Sequence, residues 1–341
     1  MNLADLNKVA RAMVAPGKGL LAADESSGTI KKRFDAIGVA STEESRRDYR
    51  EMLFRSTEAM RSAISGVILY DETIWQDARD GTPLIRIIEQ SGAIPGIKVD
   101  EGTQALPQCP GELVTAGLDK LAERLAKYYE RGARFAKWRA VIDIGANIPT
   151  MTAIHVNAHA LARYAALCQA AQIVPIVEPE VLMDGDHDID RCYEVTQRVL
   201  NKTFQELRIQ RVALEGMILK PNMAIAGKKS AKQASVEEVA EKTIRLLKAC
   251  VPAAVPGIAF LSGGQSDADA TAHLDAMNRI GGLPWPLTFS YGRALQAAPQ
   301  KAWSGRTENV AAGQRAFTHR ARMNSLAARG EWKADLEQKA A

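Results

Sequence analysis

Eight short apolar or β-branched runs recur along the 341 residues, and they restrict the fold more than any other feature. They are GLLAA (19–23), GVILY (66–70), IPGIKV (94–99), RFAKW (134–138), IVPIVEP (173–179), GMILKP (216–221), GIAFLS (257–262) and PLTFSY (286–291). The intervening segments have helical spacing or composition, as in TAIHVNAHALARYAALCQAA and SVEEVAEKTIRLLKACV. Most strand-to-strand steps are roughly thirty to fifty residues, long enough for the crossover helix that parallel pairing requires. Eight such units predict an α/β fold, a closed (β/α)8 TIM barrel, with an open doubly wound sheet as the alternative. No linker or short-period repeat interrupts the series, so a single domain is expected over 1–341. Its barrel core would span about 15–296, followed by a C-terminal helical region and a loosely held polar tail over 297–341.

Composition excludes several classes. Apolar residues make up 46% and charged residues 25%, the mixture of a globular protein, and no apolar run reaches the length of a transmembrane helix. The N-terminal MNLADLNKVARAMV spaces Leu3, Leu6, Val9 and Met13 as one stripe of a helix and lacks a signal-peptide core, so a cytoplasmic protein with no membrane partner is expected. A net charge of +4 without a basic block argues against a nucleic-acid partner. Cys109, Cys168, Cys192 and Cys250 are scattered and read as reduced thiols.

In a barrel of this kind the active site gathers at the C-terminal strand ends, so the residues closing each run are the candidates. The first run leads into Asp24 and Glu25, the second into Asp71 and Glu72, and the third carries Lys98 before Asp100. Run four carries Lys137 and Arg139, run five Glu178 and Glu180, and run six Lys220 before Asn222. Strand alternation puts Lys137 with Arg139, and Glu178 with Glu180, on one face each. The turns SGGQS (Ser262, Gly263, Gly264) and SYGR (Ser290, Gly292, Arg293) follow runs seven and eight, where barrels of this type cradle phosphate with backbone N–H groups.

Other signals carry less. His155 and His159 lie four apart on a predicted helix, without an HExxH pattern or an evident third ligand. DGDHD (184–188) lacks EF-hand spacing and reads as an acidic turn, and AGKKS lacks the glycine spacing of a P-loop. No metal or other cofactor is expected.

An amine in a dry barrel mouth beside carboxylates and phosphate cradles points to Schiff-base chemistry on a phosphorylated ketone, in which the neutral amine is the nucleophile. Burial and neighbouring cations such as Lys137 and Arg139 would move a lysine from near 10.4 toward roughly 7 to 8. Lys98, Lys137 and Lys220 all lie on predicted strands, and composition does not choose among them.

GKGLLAADES, GIKVD, FAKWR, PIVEPE, LKPNM, FLSGGQS and TFSYGRALQ occur in that order, and the chain resembles class I fructose-bisphosphate aldolase from about residue 15 to about 330. The resemblance implies a metal-independent (β/α)8 barrel, commonly a homotetramer. Its reaction would be the reversible cleavage of fructose 1,6-bisphosphate to dihydroxyacetone phosphate and glyceraldehyde 3-phosphate. It makes Lys220 the Schiff-base residue and Glu178 the acid and base of carbinolamine dehydration, with Glu180 beside it, one of the two carboxyls remaining protonated. Asp24 would take the C4 hydroxyl proton, and Lys137 with Arg139 would supply positive charge. Ser262, Gly263, Gly264, Ser290, Gly292 and Arg293 would hold the ketone-side phosphate, and Lys98, Arg139 and Arg33 the other. Vertebrate members close on a tyrosine that reaches the site, whereas this sequence ends in EQKAA, so another group is expected to serve there. The rival readings are a Schiff-base lyase for a related phosphosugar or keto acid, and a non-catalytic phosphosugar-binding scaffold.

Overall fold

The structure, a computed structural model, describes residues 2–339. Eight parallel strands close into a barrel: β1 (Gly19–Ala23), β2 (Ile64–Leu69), β3 (Ile94–Lys98), β6 (Phe135–Ile142), β7 (Val174–Val181), β8 (Ile218–Leu219), β9 (Ile258–Phe260) and β10 (Leu287–Tyr291). Their order around the barrel is β1-β10-β9-β8-β7-β6-β3-β2, so all eight expected runs become barrel strands and the open sheet is excluded. Two short antiparallel strands, β4 (Thr103–Ala105) and β5 (Leu113–Thr115), form a hairpin in the loop after β3 that the strand pattern did not anticipate.

The barrel interior is a small, tightly filled core of Leu20, Ile68, Phe135, Val174, Ile176 and Ile218. Phe135 dictates two glycines: a Cβ on Gly96 would lie 2.2 Å from its ring, and one on Gly66 2.9 Å. The helix Leu3–Met13 turns Leu6, Ala10 and Met13 onto this core and covers the strands' N-terminal ends, opposite the expected active face. A second, larger apolar layer lies between the strands and the outer helices. Several of those helices start on side-chain caps, with Thr150, Asp188 and Ser266 accepting from the N–H groups of Ala153, Arg191 and Asp269. Among the described residues, no helix is long and apolar enough to cross a membrane.

Beyond the barrel the described residues are mostly helical. Helix Val310–Ala327 packs on helix Arg293–Trp303, and the 3-10 segment Ala334–Lys339 follows. Glu337 pairs with the buried Arg320 guanidinium and accepts from Trp332 Nε1 at 3.1 Å. A buried cation needs such a partner, which is why the polar segment docks. Residues 340–341 of the expected tail lie outside the described residues.

Candidate active site

The C-terminal strand ends surround a cavity of about 890 Å³, lined by all the residues to which the resemblance gave a role, whereas two other strand-end candidates turn away: Glu72 pairs with Arg46, and Asn222 bonds Val181 N and Thr196 Oγ1. Register explains the convergence. Lys98 on β3 stands beside Lys137 on β6, and Arg139 on β6 stands beside Glu178 on β7. Lys220 follows directly after β8, and its N–H donates to Val177 O at 2.8 Å, which holds its backbone to β7.

Three buried charges lie at the centre. The side chains of Lys220, Glu178 and Lys137 are 4%, 4% and 6% exposed, so each requires a charged partner. Lys220 Nζ lies 3.2 Å from Glu178 Oε1, and Lys137 Nζ lies 3.1 Å from Glu178 Oε2 while donating a hydrogen bond to Asp24 Oδ2 at 3.0 Å. The contact of Lys137 with Glu178 is an ion pair without hydrogen-bond alignment, since Glu178 Oε2 has no hydrogen-bond partner among the described residues. Glu178 therefore links the two lysines, and Lys137 links the two carboxylates.

Electrostatics follow from this chain of contacts. Burial would raise the Asp24 carboxyl, but Lys137 and Lys220 outweigh it and hold the group well below its ordinary value. Burial would likewise lower Lys137, yet Asp24 and Glu178 push it well above the ordinary lysine range. Lys137 is thus a fixed cation of the site.

Glu178 and Glu180, of which one was expected to stay protonated, stand beside different cations. Each has its own cation: Glu178 has the two lysines, and Glu180 forms an ion pair with Arg139 Nε. Around Arg139, burial is outweighed by Glu180 and the guanidinium is driven further above its ordinary range. Asp100 completes this side of the mouth, accepting from Arg139 N at 3.3 Å and pairing with Lys98 Nζ at 2.7 Å.

The opposite side holds the glycine turns. Ser290 Oγ is buried without any hydrogen-bond partner among the described residues, although Ser290 lines the cavity, so its hydroxyl is free for a ligand. Gly292 caps the helix Arg293–Trp303, whose first N–H groups and dipole favour an anion. Gly263 and Gly264 have φ of 53° and 80°, a conformation that aims successive backbone groups into the turn and that glycine adopts without strain. The sequence grouped Arg33 with Lys98 and Arg139. In the fold its Nη2 lies 3.6 Å from where a Gly292 side chain would begin, on the β10 side, and it pairs with Glu25.

The cavity thus sets a cationic wall and a buried lysine beside a carboxylate against glycine turns with an unpaired hydroxyl. The family model for class I fructose-bisphosphate aldolase matches residues 5–341. The chain belongs to that family. It is 58% identical over 334 residues to a probable class 1 fructose-bisphosphate aldolase of Xanthomonas campestris pv. campestris, covering 98% of this chain and 100% of that one. It is 53% identical to the cytosolic fructose-bisphosphate aldolase 6 of Arabidopsis thaliana, covering 94% and 90%. The Plasmodium falciparum aldolase, solved in complex with TRAP and a small-molecule inhibitor, superposes with a TM-score of 0.95 at 47% identity, covering 97% and 96%. As an aldolase family member the chain is a carbon–carbon lyase that processes phosphosugars.

Several cavity residues of this aldolase were not singled out from the sequence: Ser26, Thr29, Arg124, Tyr128, Asp184 and Lys228. Asp184 sits in the acidic turn and Lys228 in AGKKS, and neither segment shows by pattern that it folds toward β9. His155 and His159 have a nearby acid, Glu206, at 3.3 Å from each ring. Lys202 shares that carboxylate at 2.8 Å, and among the described residues no His, Cys, Asp and Glu group is arranged to hold a metal.

Proposed function

We propose that this aldolase cleaves fructose 1,6-bisphosphate through a Schiff base on Lys220. The observation that carries the assignment is the buried Lys220 amine, 3.2 Å from Glu178 in a cavity whose far wall offers the unpaired Ser290 hydroxyl. Lys98 pairs with Asp100 at the rim, and Lys137 is held between two carboxylates. Lys220 has only Glu178 within ion-pair reach, among the described residues.

In this reading Lys220 Nζ gives a proton to Glu178, 3.2 Å away, and the neutral amine attacks the C2 carbonyl. Glu178 then protonates the carbinolamine hydroxyl, which leaves as water and creates the protonated imine. Asp24, ionised and held by Lys137, accepts the C4 hydroxyl proton while the C3–C4 bond breaks and its electron pair enters the iminium to give an enamine. Glyceraldehyde 3-phosphate departs, C3 takes up a proton from solvent, and hydrolysis of the imine returns the amine and dihydroxyacetone phosphate. Lys137 and Arg139 keep the site positive, with Glu180 orienting Arg139. Ser262, Gly263, Gly264, Ser290, Gly292 and Arg293 hold the ketone-side phosphate, with Arg33 placed to assist them. Lys98 and Arg139 take the other phosphate. Anchoring both ends brings C2 to the amine and lowers the entropic part of the barrier.

We further infer a cytoplasmic homotetramer built from one domain. Family membership, the Arabidopsis relative named cytosolic and the four free cysteines support that reading. The test of function is a substrate series of fructose 1,6-bisphosphate, fructose 1-phosphate, sedoheptulose bisphosphate and fructose. The bisphosphate should have the highest kcat/KM, and a rate no better than that on fructose would defeat the assignment.

A further inference from the structure

Lys228 and Asp184 lie at the rim of the same cavity, on two loops that the barrel sequence motifs do not cover. The loops are clamped together by backbone hydrogen bonds from Gly227 N to His187 O (2.8 Å), Lys228 N to Met183 O (2.7 Å) and Lys229 N to Gly185 O (3.0 Å). Gly227 permits this approach, since a Cβ there would lie 2.2 Å from Gly185 O. The backbone of Lys228 is therefore fixed, and its side chain reaches toward the Gly263–Gly264 turn. A side chain beginning at Gly264 would meet Lys228 Nζ at 2.7 Å and Arg293 Nη2 at 2.8 Å, so the two cations converge on one point beside the glycine turn. One carboxylate answers them: Asp184 Oδ1, 2.7 Å from Lys228 Nζ. Arg293 has no ion-pair partner among the described residues.

Building on the phosphosugar reading above, we propose that Lys228 is a binding residue for the ketone-side phosphate, parked on Asp184 until the anion arrives. Two cations brought together beside a turn with free backbone donors favour a dianion more than either does alone. The pair of Lys228 with Asp184 has side chains 41% and 60% exposed, so water and salt screen it and it exchanges readily for phosphate. Asp184 thus competes with the ligand for the same ammonium group and keeps the empty mouth from being excessively cationic.

The test compares wild type, Lys228→Met, Lys228→Gln, Lys228→Arg and Asp184→Asn. With fructose 1,6-bisphosphate and with fructose 1-phosphate, Lys228→Met and Lys228→Gln should raise KM about tenfold for both substrates, the loss expected for one charge-assisted contact. Lys228→Arg should recover most of that loss. Asp184→Asn should act in the opposite direction, lowering KM about two- to threefold at low ionic strength, with the gain disappearing in high salt. A purely structural role for the pair would make both partners' variants worse. An unchanged KM in Lys228→Met, or a rise confined to the bisphosphate, overturns the proposal, the second result placing Lys228 on the other phosphate. Calorimetric titration with inorganic phosphate reads the cradle without turnover, and Lys228→Met should weaken that binding by a similar factor. If wild type cleaves neither sugar yet binds phosphate through Lys228, the aldolase reading fails and this one stands. If it cleaves both and Lys228→Met binds phosphate as wild type does, the reverse holds.

Discussion

Replacing Lys137 with methionine removes the cation between Asp24 and Glu178 while keeping the side chain's length. Its ammonium lies 3.0 Å from one carboxylate and 3.1 Å from the other, and none of the three side chains is more than 13% exposed. Deleting one member of such a buried arrangement leaves negative charge uncompensated, at a cost of about 3–5 kcal/mol. Unfolding entropy of about 2.1 cal/mol/K per residue across a chain of this length converts that cost into a Tm lowered by roughly 4–7 °C. The pH dependence has a definite sign. Asp24 is depressed on folding, so its contribution is fully present above its ordinary value of 3.8 and is lost as pH falls through the depressed one. Lys137 is raised on folding, so its contribution is fully present below 10.5 and is lost as pH rises through the raised value. The difference between wild type and Lys137→Met should therefore be greatest between those two ordinary values and should narrow in acid. Scanning calorimetry at neutral pH and near pH 3 reads both effects, and steady-state kinetics should show kcat lowered at least about 100-fold. A variant melting with wild type at neutral pH, or turning over within a few-fold of it, would refute the electrostatic reasoning.

Ser290→Ala removes a hydroxyl with no protein partner, so Tm should hold within about a degree while KM for phosphorylated substrates rises roughly tenfold, as measured by steady-state kinetics. Gly96→Ala places a methyl 2.2 Å from the Phe135 ring and should destabilise by about 1–3 kcal/mol, with Phe135→Leu restoring part of the loss in melting experiments. Glu337→Gln leaves Arg320 without its carboxylate and should lower Tm by roughly 1–4 °C at neutral pH. Burial tends to raise Glu337, but Arg320 and His319 depress it overall, so its contribution is present above 4.5 and lost as pH falls. The Tm difference should accordingly shrink in acid.

The eight-strand pattern was legible because parallel barrel strands are buried on both faces and read as continuous apolar runs. Strand ends were less so. The run at 134–138 continues as strand to Ile142, because Arg139 through Ile142 pair with Glu178 through Val181 and the charged Arg139 finds Glu180 across the ladder. The run at 216–221 keeps only Ile218 and Leu219 as strand, after which Lys220 enters the mouth and Asn222 turns its amide to Val181 N and Thr196 Oγ1. The β4–β5 hairpin escaped notice because strands of three residues, with Thr115 the one buried position, give no hydrophobic alternation. Candidate residues on strands were found because strand ends share one rim. Lys228 and Asp184 were not, because their pairing beside Gly264 depends on the loops after the adjacent strands β7 and β8 meeting in space, which no local pattern encodes.

Borohydride reduction in the presence of dihydroxyacetone phosphate, followed by peptide mass mapping, tests the Lys220 assignment most directly. A reduced three-carbon phosphate adduct confined to the peptide containing Lys220, and missing from Lys220→Met, is the expected result. An adduct on Lys137 or Lys98, or trapping that survives loss of Lys220, would contradict the account.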